Sequence, residues 1–405
     1  MTQFTRLWES LASNGGGTIV YAILDGLGGL PHPEHGMTEL EAANTPNLDA
    51  LAESSSCGLL EVVGPGISPG SGPGHLALFG YDPLEHRIGR GVLAALGIDF
   101  PLQRGDVAVR VNFATFDADG TIEDRRAGRI ETEKNRELCD RIREGLRLEF
   151  AGDLFLETVS EHRAALILRG EGLASGVSDT DPQKTGVPPL HPQALSPDSE
   201  STARLLAEFA AQAREILSGE GRANGLLLRG IDSYEPPASL KQRYSLKGVC
   251  IAEYPMYRGL SRLLGMDVAR RPSDLDDSLD VLEEVYGDEH DFFFFHVKKT
   301  DSYGEDGDFE SKVRVIEAFD DLLQRIVALR PDVLVVTGDH STPAAMAVHS
   351  WHPVPVLIHA RFARADRLRS FGESACRHGS LGLRPGLDLL GLALAHAGRL
   401  KKYGA

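Results

Sequence analysis

Five short apolar runs with no polar alternation constrain this chain more than anything else in it. They are residues 18–24 (T-I-V-Y-A-I-L), 249–252 (V-C-I-A), 292–297 (F-F-F-F-H-V), 333–337 (V-L-V-V-T) and 354–359 (V-P-V-L-I-H). A strand with one wet face alternates apolar and polar residues, whereas a strand buried on both faces does not. Helical patterns separate the runs. Thr45 and Pro46 read as the N-cap and first residue of one helix, with Leu48, Leu51 and Ala52 as its buried stripe. Val313, Ile316, Phe319, Leu323 and Ile326 mark a long amphipathic helix, and another covers about 387–397. Buried strands alternating with helices predict a parallel α/β sheet with crossover helices.

The middle of the chain has its own pattern. Residues 106–116 alternate and read as a half-exposed strand, and 117–120 as a turn. Leu138, Ile142 and Leu146 suggest a helix, 164–168 and 226–228 suggest strands, and 201–218 a further amphipathic helix. Residues 175–197, rich in Ser, Asp and Pro, read as a long loop. We therefore expect an α/β domain at 100–238, inserted into a discontinuous core domain made of 1–99 and 239–405, and 405 residues suffice for two domains. The net charge of −17 argues against nucleic-acid and anionic-membrane partners. No apolar run approaches a membrane span, and residues 1–17 lack a signal-peptide pattern. The four Cys are far apart and form no CxxC, which suggests reduced thiols and a cytoplasmic protein.

The chemistry concentrates at strand ends. Residues 63–83 begin as a Gly/Pro-rich loop and turn helical around His75, with Ser71 at the junction between Gly70 and Gly72. A Ser at a helix N-terminus lies among free backbone N–H groups that suit a phosphoryl group, although for a lone Ser between two Gly a capped loop is the commoner explanation, and the case for a nucleophile rests on the residues elsewhere. Asp25 follows the first apolar run, Asp301 and Glu305 follow the third, and Asp339-His340 follow the fourth. His349 and His352 lie just before the fifth. Carboxylate with imidazole is a ligand mix for Mn²⁺ or Zn²⁺, and there are enough groups for two ions. Two close ions stabilise both oxygens of a phosphoryl transfer, and coordination activates a weak hydroxyl nucleophile such as Ser71. There is no P-loop, Ser71 lacks the outer glycines of G-x-S-x-G, and Gly26-Leu27-Gly28-Gly29 lacks the dinucleotide fingerprint. Arg125, Arg126 and Arg129 form a basic knot, read either as a solvated face or as a grip on carboxylate or phosphate.

The Asp25-Gly26 turn, the P-G-S-x-x-x-H-L-x-L-F-G-Y-D-P segment, T-G-D-H-S-T-P and H-S-x-x-P-V-P together resemble the alkaline phosphatase superfamily. Within it the chain is similar to the cofactor-independent phosphoglycerate mutases of the archaeal type, as are N-F-A-T-x-D, D-R-R-A-G-R-I and S-D-T-D-P in the middle region. The resemblance implies an alkaline-phosphatase-like parallel sheet core with helices on both faces, an inserted cap domain, two divalent ions (Mn²⁺ foremost, with Mg²⁺, Zn²⁺ or Co²⁺ as alternatives) and a phosphoserine intermediate. It implies Ser71 as nucleophile, Asp25, Ser71, Asp339 and His340 around one ion, and Asp301 and His349 around the other. The broader group has Asp-x-x-x-His where this chain reads Asp301-Ser302-Tyr303-Gly304-Glu305, so the third ligand is either Glu305 or His352. His75 lies either near the phosphate or in the core. Arg125, Arg126, Arg129, Arg258 and Lys298 are candidates to grip the substrate, and Asp179 or Asp181 to act as acid or base toward glycerate. The substrate pair implied is 3- and 2-phosphoglycerate, with the cap closing to exclude water. Rivals on the same scaffold are a phosphatase, another phosphomutase or a homoserine-kinase-like phosphotransferase. A metal-binding regulatory protein would bind ions without forming phosphoserine.

Overall fold

The computed structural model describes residues 3–287 and 289–404; Met1, Thr2, Asp288 and Ala405 lie outside the described residues. Its strands, in chain order, are β1 (Ile19–Leu24), β2 (Ser56–Glu61), β3 (Val107–Phe116), β4 (Ile122–Asp124), β5 (Gly152–Ser160), β6 (Arg163–Gly170), β7 (Gly225–Ser233), β8 (Gly248–Ile251), β9 (Asp267–Val268), β10 (Phe292–Val297), β11 (Val333–Thr337), β12 (Val354–Ala360) and β13 (Gly382–Pro385). The chain divides into two compact units, one of residues 1–87, 238–254 and 264–405, the other of residues 88–237 and 255–263.

The first unit is built on an eight-stranded sheet of order β13-β2-β12-β11-β1-β10-β8-β9. Strands β1, β10 and β11 are buried along their whole length, as their unbroken apolar sequences require. Strand β1 runs parallel to β10 on one side and β11 on the other, with Ile23 opposite both His296 and Thr337. That register levels the three C-terminal ends, so Asp25, Lys298 and Gly338 leave the sheet at one edge. Open α/β sheets carry their sites there. Strand β12 departs from the expected parallel arrangement and runs antiparallel to both β11 and β2. The reason is the connection: residues 338–353 return as a loop without a crossover helix, and a parallel partner needs a crossover.

The helix Pro46–Glu53 starts where the Thr-Pro signal puts it, but Thr45 makes no side-chain cap. Asp320, on the long helix Phe309–Ala328, accepts instead from the backbone N–H groups of Asn47 (3.1 Å) and Leu48 (2.6 Å). A buried carboxylate from a neighbouring helix thus takes the role of the local cap.

The second unit is an antiparallel sheet of order β4-β3-β6-β5, with β7 paired to β3. Helices Thr132–Gly145 and Glu200–Ile216 contribute Leu138, Ile142, Leu206 and Phe209 to a core shared with Val109, Val111 and Leu166 of the sheet. The helices Arg90–Gly97 and Pro255–Leu263 also belong to this unit, which begins at Ile88 where the sequence reading placed residue 100. Gly91 explains the attachment: a Cβ there would meet the Ala108 carbonyl oxygen at 2.3 Å, so only Gly lets this helix lie against β3.

Candidate active site

In the first unit, Ser71 opens the helix Ser71–Leu78, with Gly70 as an extended N-cap. A Cβ on Gly74 would lie 2.3 Å from the Asp339 carbonyl oxygen, so the absent side chain lets this helix approach the loop after β11. Asp301 does not sit in a loop. It lies in the helix Lys299–Glu305, which places Asp301 and Glu305 one turn apart.

The side chains converge on two imidazoles. His340 Nε2 lies 3.2 Å from each of Ser71 Oγ, Asp25 Oδ1 and Asp339 Oδ2. The hydroxyl of Thr342 donates to Asp301 Oδ1 (2.7 Å), so its oxygen accepts from His340 Nδ1 (2.9 Å). With Nδ1 engaged by Thr342, His340 turns its Nε2 toward three oxygens. One imidazole nitrogen and three oxygens around one point are a donor set able to hold a cation. His349 Nε2 lies 3.4 Å from Asp301 Oδ1 and 3.5 Å from Glu305 Oε1, and its Nδ1 donates to the Pro69 carbonyl (2.9 Å). The His340 and His349 rings stack at 3.8 Å. The groups able to hold an ion here are Asp25–Asp339–His340 and Asp301–His340–His349.

The charged groups of this cluster shift one another's titration. Burial alone would raise Asp25, but Lys298, His296 and His340 hold it well below the usual carboxylate range. Burial and Asp25 push Asp301 up, yet His349 and Lys298 hold it down at about 2. Burial works against the His349 imidazolium, but hydrogen bonds to Asp301 and Glu305 raise its pKa to about 10. Lys298 Nζ lies 3.0 Å from Asp25 Oδ2 and donates to Asp301 Oδ2.

Several expected residues fall elsewhere. His352 belongs to neither group: its Nδ1 meets Ser350 Oγ at 3.0 Å and its ring stacks on Trp351. The Ser341 hydroxyl donates to its carbonyl and fixes the loop in that direction. His75 is fully buried and is not open to substrate. Its Nδ1 faces the Ser71 carbonyl (2.8 Å) and Asp339 Oδ2 (3.1 Å), and its ring packs on Phe294 and His296, so it orients Asp339. Lys298 lies between carboxylates, where a substrate grip was expected. The sequence reading missed His296, Thr342 and Lys312. A His closing the F-F-F-F run was the available signal for the first.

The second unit gathers arginines. Arg125 grips Asp181 with two bonds of 2.8 Å, Arg229 adds a contact of 3.3 Å, and the Gln183 N–H donates to Asp181 as well. Burial opposes the charge on Asp181, but Arg125 dominates and holds its pKa down. A buried, ionised, fully engaged carboxylate is an anchor for Arg125 and Arg229 and not an acid or base. Asp179 accepts from the Gly230 N–H (2.8 Å). Arg126 and Arg129 are exposed, whereas Arg258 is buried on the helix Pro255–Leu263. The turn over 127–129 holds three successive residues at positive φ (Ala127 +47°, Gly128 +63°, Arg129 +52°). Buried His162 feels burial first, then Arg163, Arg110, Arg126 and Arg129, and its pKa is pushed down to about 3.

That shift predicts a pH dependence. Unfolded His162 titrates near its ordinary value of 6.5, so between pH 6.5 and 3 the unfolded chain binds the extra proton. The stability contribution is present above pH 6.5 and is lost as pH falls. His162→Gln should therefore flatten the acid limb by up to about 1.4 kcal/mol per pH unit, measured as urea unfolding at pH 7 and pH 4.5.

The pattern that defines the 2,3-bisphosphoglycerate-independent phosphoglycerate mutase family matches residues 52–221. A Thermus thermophilus protein named "Probable 2,3-bisphosphoglycerate-independent phosphoglycerate mutase" is 52% identical over 98% of both chains. A Deinococcus radiodurans protein of the same name is 49% identical over 98% of both. The structure of a cofactor-independent phosphoglycerate mutase from Thermoplasma acidophilum superposes with a TM-score of 0.68 at 31% identity, covering 94% of this chain and all of that one. A Pyrococcus horikoshii protein structure gives 0.81 at 30% identity, covering 96% and 100%. The chain belongs to the 2,3-bisphosphoglycerate-independent phosphoglycerate mutase family and is an isomerase. Among the described residues, no helix is long and apolar enough to cross a membrane.

Proposed function

We propose that this enzyme interconverts 3-phosphoglycerate and 2-phosphoglycerate through a phosphoserine at Ser71, supported by two divalent ions. The observation that carries this reading is the convergence of Ser71 Oγ, Asp25 and Asp339 on His340 Nε2. Asp25, Ser71, Asp339 and His340 would hold one ion, and Asp301, His349 and Glu305 the other. The ions would supply charge for the nucleophile and for the transferring phosphoryl oxygens. The oxygen-rich set with Glu305 favours Mn²⁺, with Mg²⁺, Zn²⁺ and Co²⁺ as alternatives.

Ser71 Oγ attacks phosphorus in line. The bond between phosphorus and the C3 oxygen breaks, and that oxygen takes up a proton in exchange for the one lost by the Ser71 hydroxyl. Glycerate then turns, its C2 hydroxyl gives up its proton and attacks phosphoserine, the bond to Ser71 Oγ breaks, and Oγ is reprotonated. His75 keeps Asp339 aimed while this happens. The second unit acts as the substrate-binding cap, with Arg125 and Arg229 set by Asp181 and Arg126 and Arg129 exposed to grip phosphate and carboxylate. Arg258 shares that role, and Asp179 is the candidate acid or base toward glycerate. Water must be excluded, because an open phosphoserine would hydrolyse. On this reading the reaction belongs to glycolysis and gluconeogenesis, and we take the enzyme to act in the cytoplasm.

The test supplies Mn²⁺ and 3-phosphoglycerate without bisphosphoglycerate and follows both products. 2-Phosphoglycerate without free phosphate is the expected result. Free phosphate alone would make the protein a phosphatase, and neither product would point to another phosphoryl acceptor. Treatment with EDTA should abolish activity, and added Mn²⁺ should restore it.

A further inference from the structure

Residues 31–36 (P-H-P-E-H-G) form a turn after β1 that the reaction does not use. The His32 carbonyl accepts from the N–H groups of His35 (3.2 Å) and Gly36 (2.8 Å), and Gly36 closes the turn at φ +69°. This geometry brings one donor atom from each of His32, Glu34 and His35 within 4.8 Å of one another. Both rings are held in place. His35 lies flat on Phe309, with centroids 4.2 Å apart and planes 6° apart, and His32 packs on the same ring at 5.1 Å. Phe309 is buried, so the platform is fixed. Much of the rotamer freedom that a ligand would otherwise have to freeze is already gone. Glu310, next on the same helix, places Oε1 3.8 Å from His35 Nε2.

We propose that His32, Glu34 and His35, backed by Glu310, bind one divalent cation of the zinc class at a surface site made of residues other than those around Ser71. Two imidazoles with a carboxylate are a zinc donor set. Such a set ranks Zn²⁺ and Cu²⁺ well above Mn²⁺, and Mg²⁺ prefers oxygen alone. Glu310 serves as a fourth ligand or as the acceptor that fixes the His35 ring. A bound ion would tie the turn to the helix Phe309–Ala328, which carries Lys312.

The test counts ions per chain. Chelator-treated wild type and the His32→Ala/His35→Ala double variant are dialysed against the same free Zn²⁺, and bound zinc is measured by elemental mass spectrometry. The expected difference is one ion per chain, with mutase activity and circular dichroism unchanged. Equal zinc content in the two proteins overturns the proposal. Repeating the dialysis with Mn²⁺ should show no difference, and a one-ion difference there overturns the assignment of metal class. If the double variant fails to fold, Glu34→Gln replaces it and should raise the Kd for this one ion about tenfold; an unchanged Kd overturns the proposal. Because the readout is a difference between two proteins, it does not depend on how many ions the Ser71 site holds.

Discussion

Replacing Ser71 with alanine should lower the isomerase kcat by roughly 10⁴- to 10⁶-fold, the range seen when a covalent nucleophile is removed. Little else should change. Among the described residues, the Ser71 side chain hydrogen-bonds to His340 alone, and the helix it opens has Gly70 as N-cap without a side-chain bond. The Gly74 N–H still donates to the Gly70 carbonyl, and alanine is a better helix former than serine. Stability should therefore fall by no more than about 1 kcal/mol, the net worth of the one hydrogen bond lost to buried His340. A coupled assay and a thermal melt together separate the two effects. Activity near wild type would remove Ser71 from the mechanism.

The second large effect is on the frame. Lys312 is fully buried, and its ammonium donates to the carbonyls of Gly26 (2.9 Å), Thr342 (2.8 Å) and Gly28 (3.3 Å). One side chain thus joins the loop that follows Asp25 to the loop that follows His340. Its charge is balanced by buried Glu39 at 3.7 Å, which also accepts from the Ala344 N–H (2.6 Å). Burial pulls the Lys312 pKa down, and Glu39 opposes that pull. Lys312→Met leaves three carbonyls and a carboxylate without their cation, and breaking a buried pair of this kind costs about 3–5 kcal/mol. We expect a marked fall in the urea midpoint together with lost activity. Lys312→Met/Glu39→Gln should recover part of the stability, because the uncompensated charge is then gone. A double variant no more stable than the single one would mean that the carbonyl bonds, and not the charge, set the cost.

The strands of the core were readable because burial on both faces leaves a plain signal: five apolar runs became β1, β8, β10, β11 and β12. The direction of β12 was not readable, since periodicity is the same in parallel and antiparallel strands. Strand β5 was missed because its burial is mostly partial and its sequence, G-D-L-F-L-E-T-V-S, carries only a weak alternation. At the site, strand ends announced Asp25, Asp301, Asp339 and His340. What each side chain touches was beyond the sequence. Both His75 and His352 sit beside suggestive motifs, and only packing tells that one lies beneath the site and the other turns away from it. Lys312 looks like an ordinary polar residue of an amphipathic helix. Its role comes from three carbonyls supplied by distant segments, and nothing local encodes that.

The most direct test of the central claim is to locate the phosphoryl group during turnover. The enzyme is mixed with Mn²⁺ and 3-phosphoglycerate, quenched while both substrates are present, and digested for peptide mass spectrometry. The account predicts phosphate on Ser71, gained on adding substrate and lost when substrate is exhausted. Full turnover with Ser71 unmodified and the phosphoryl group on another side chain would contradict it.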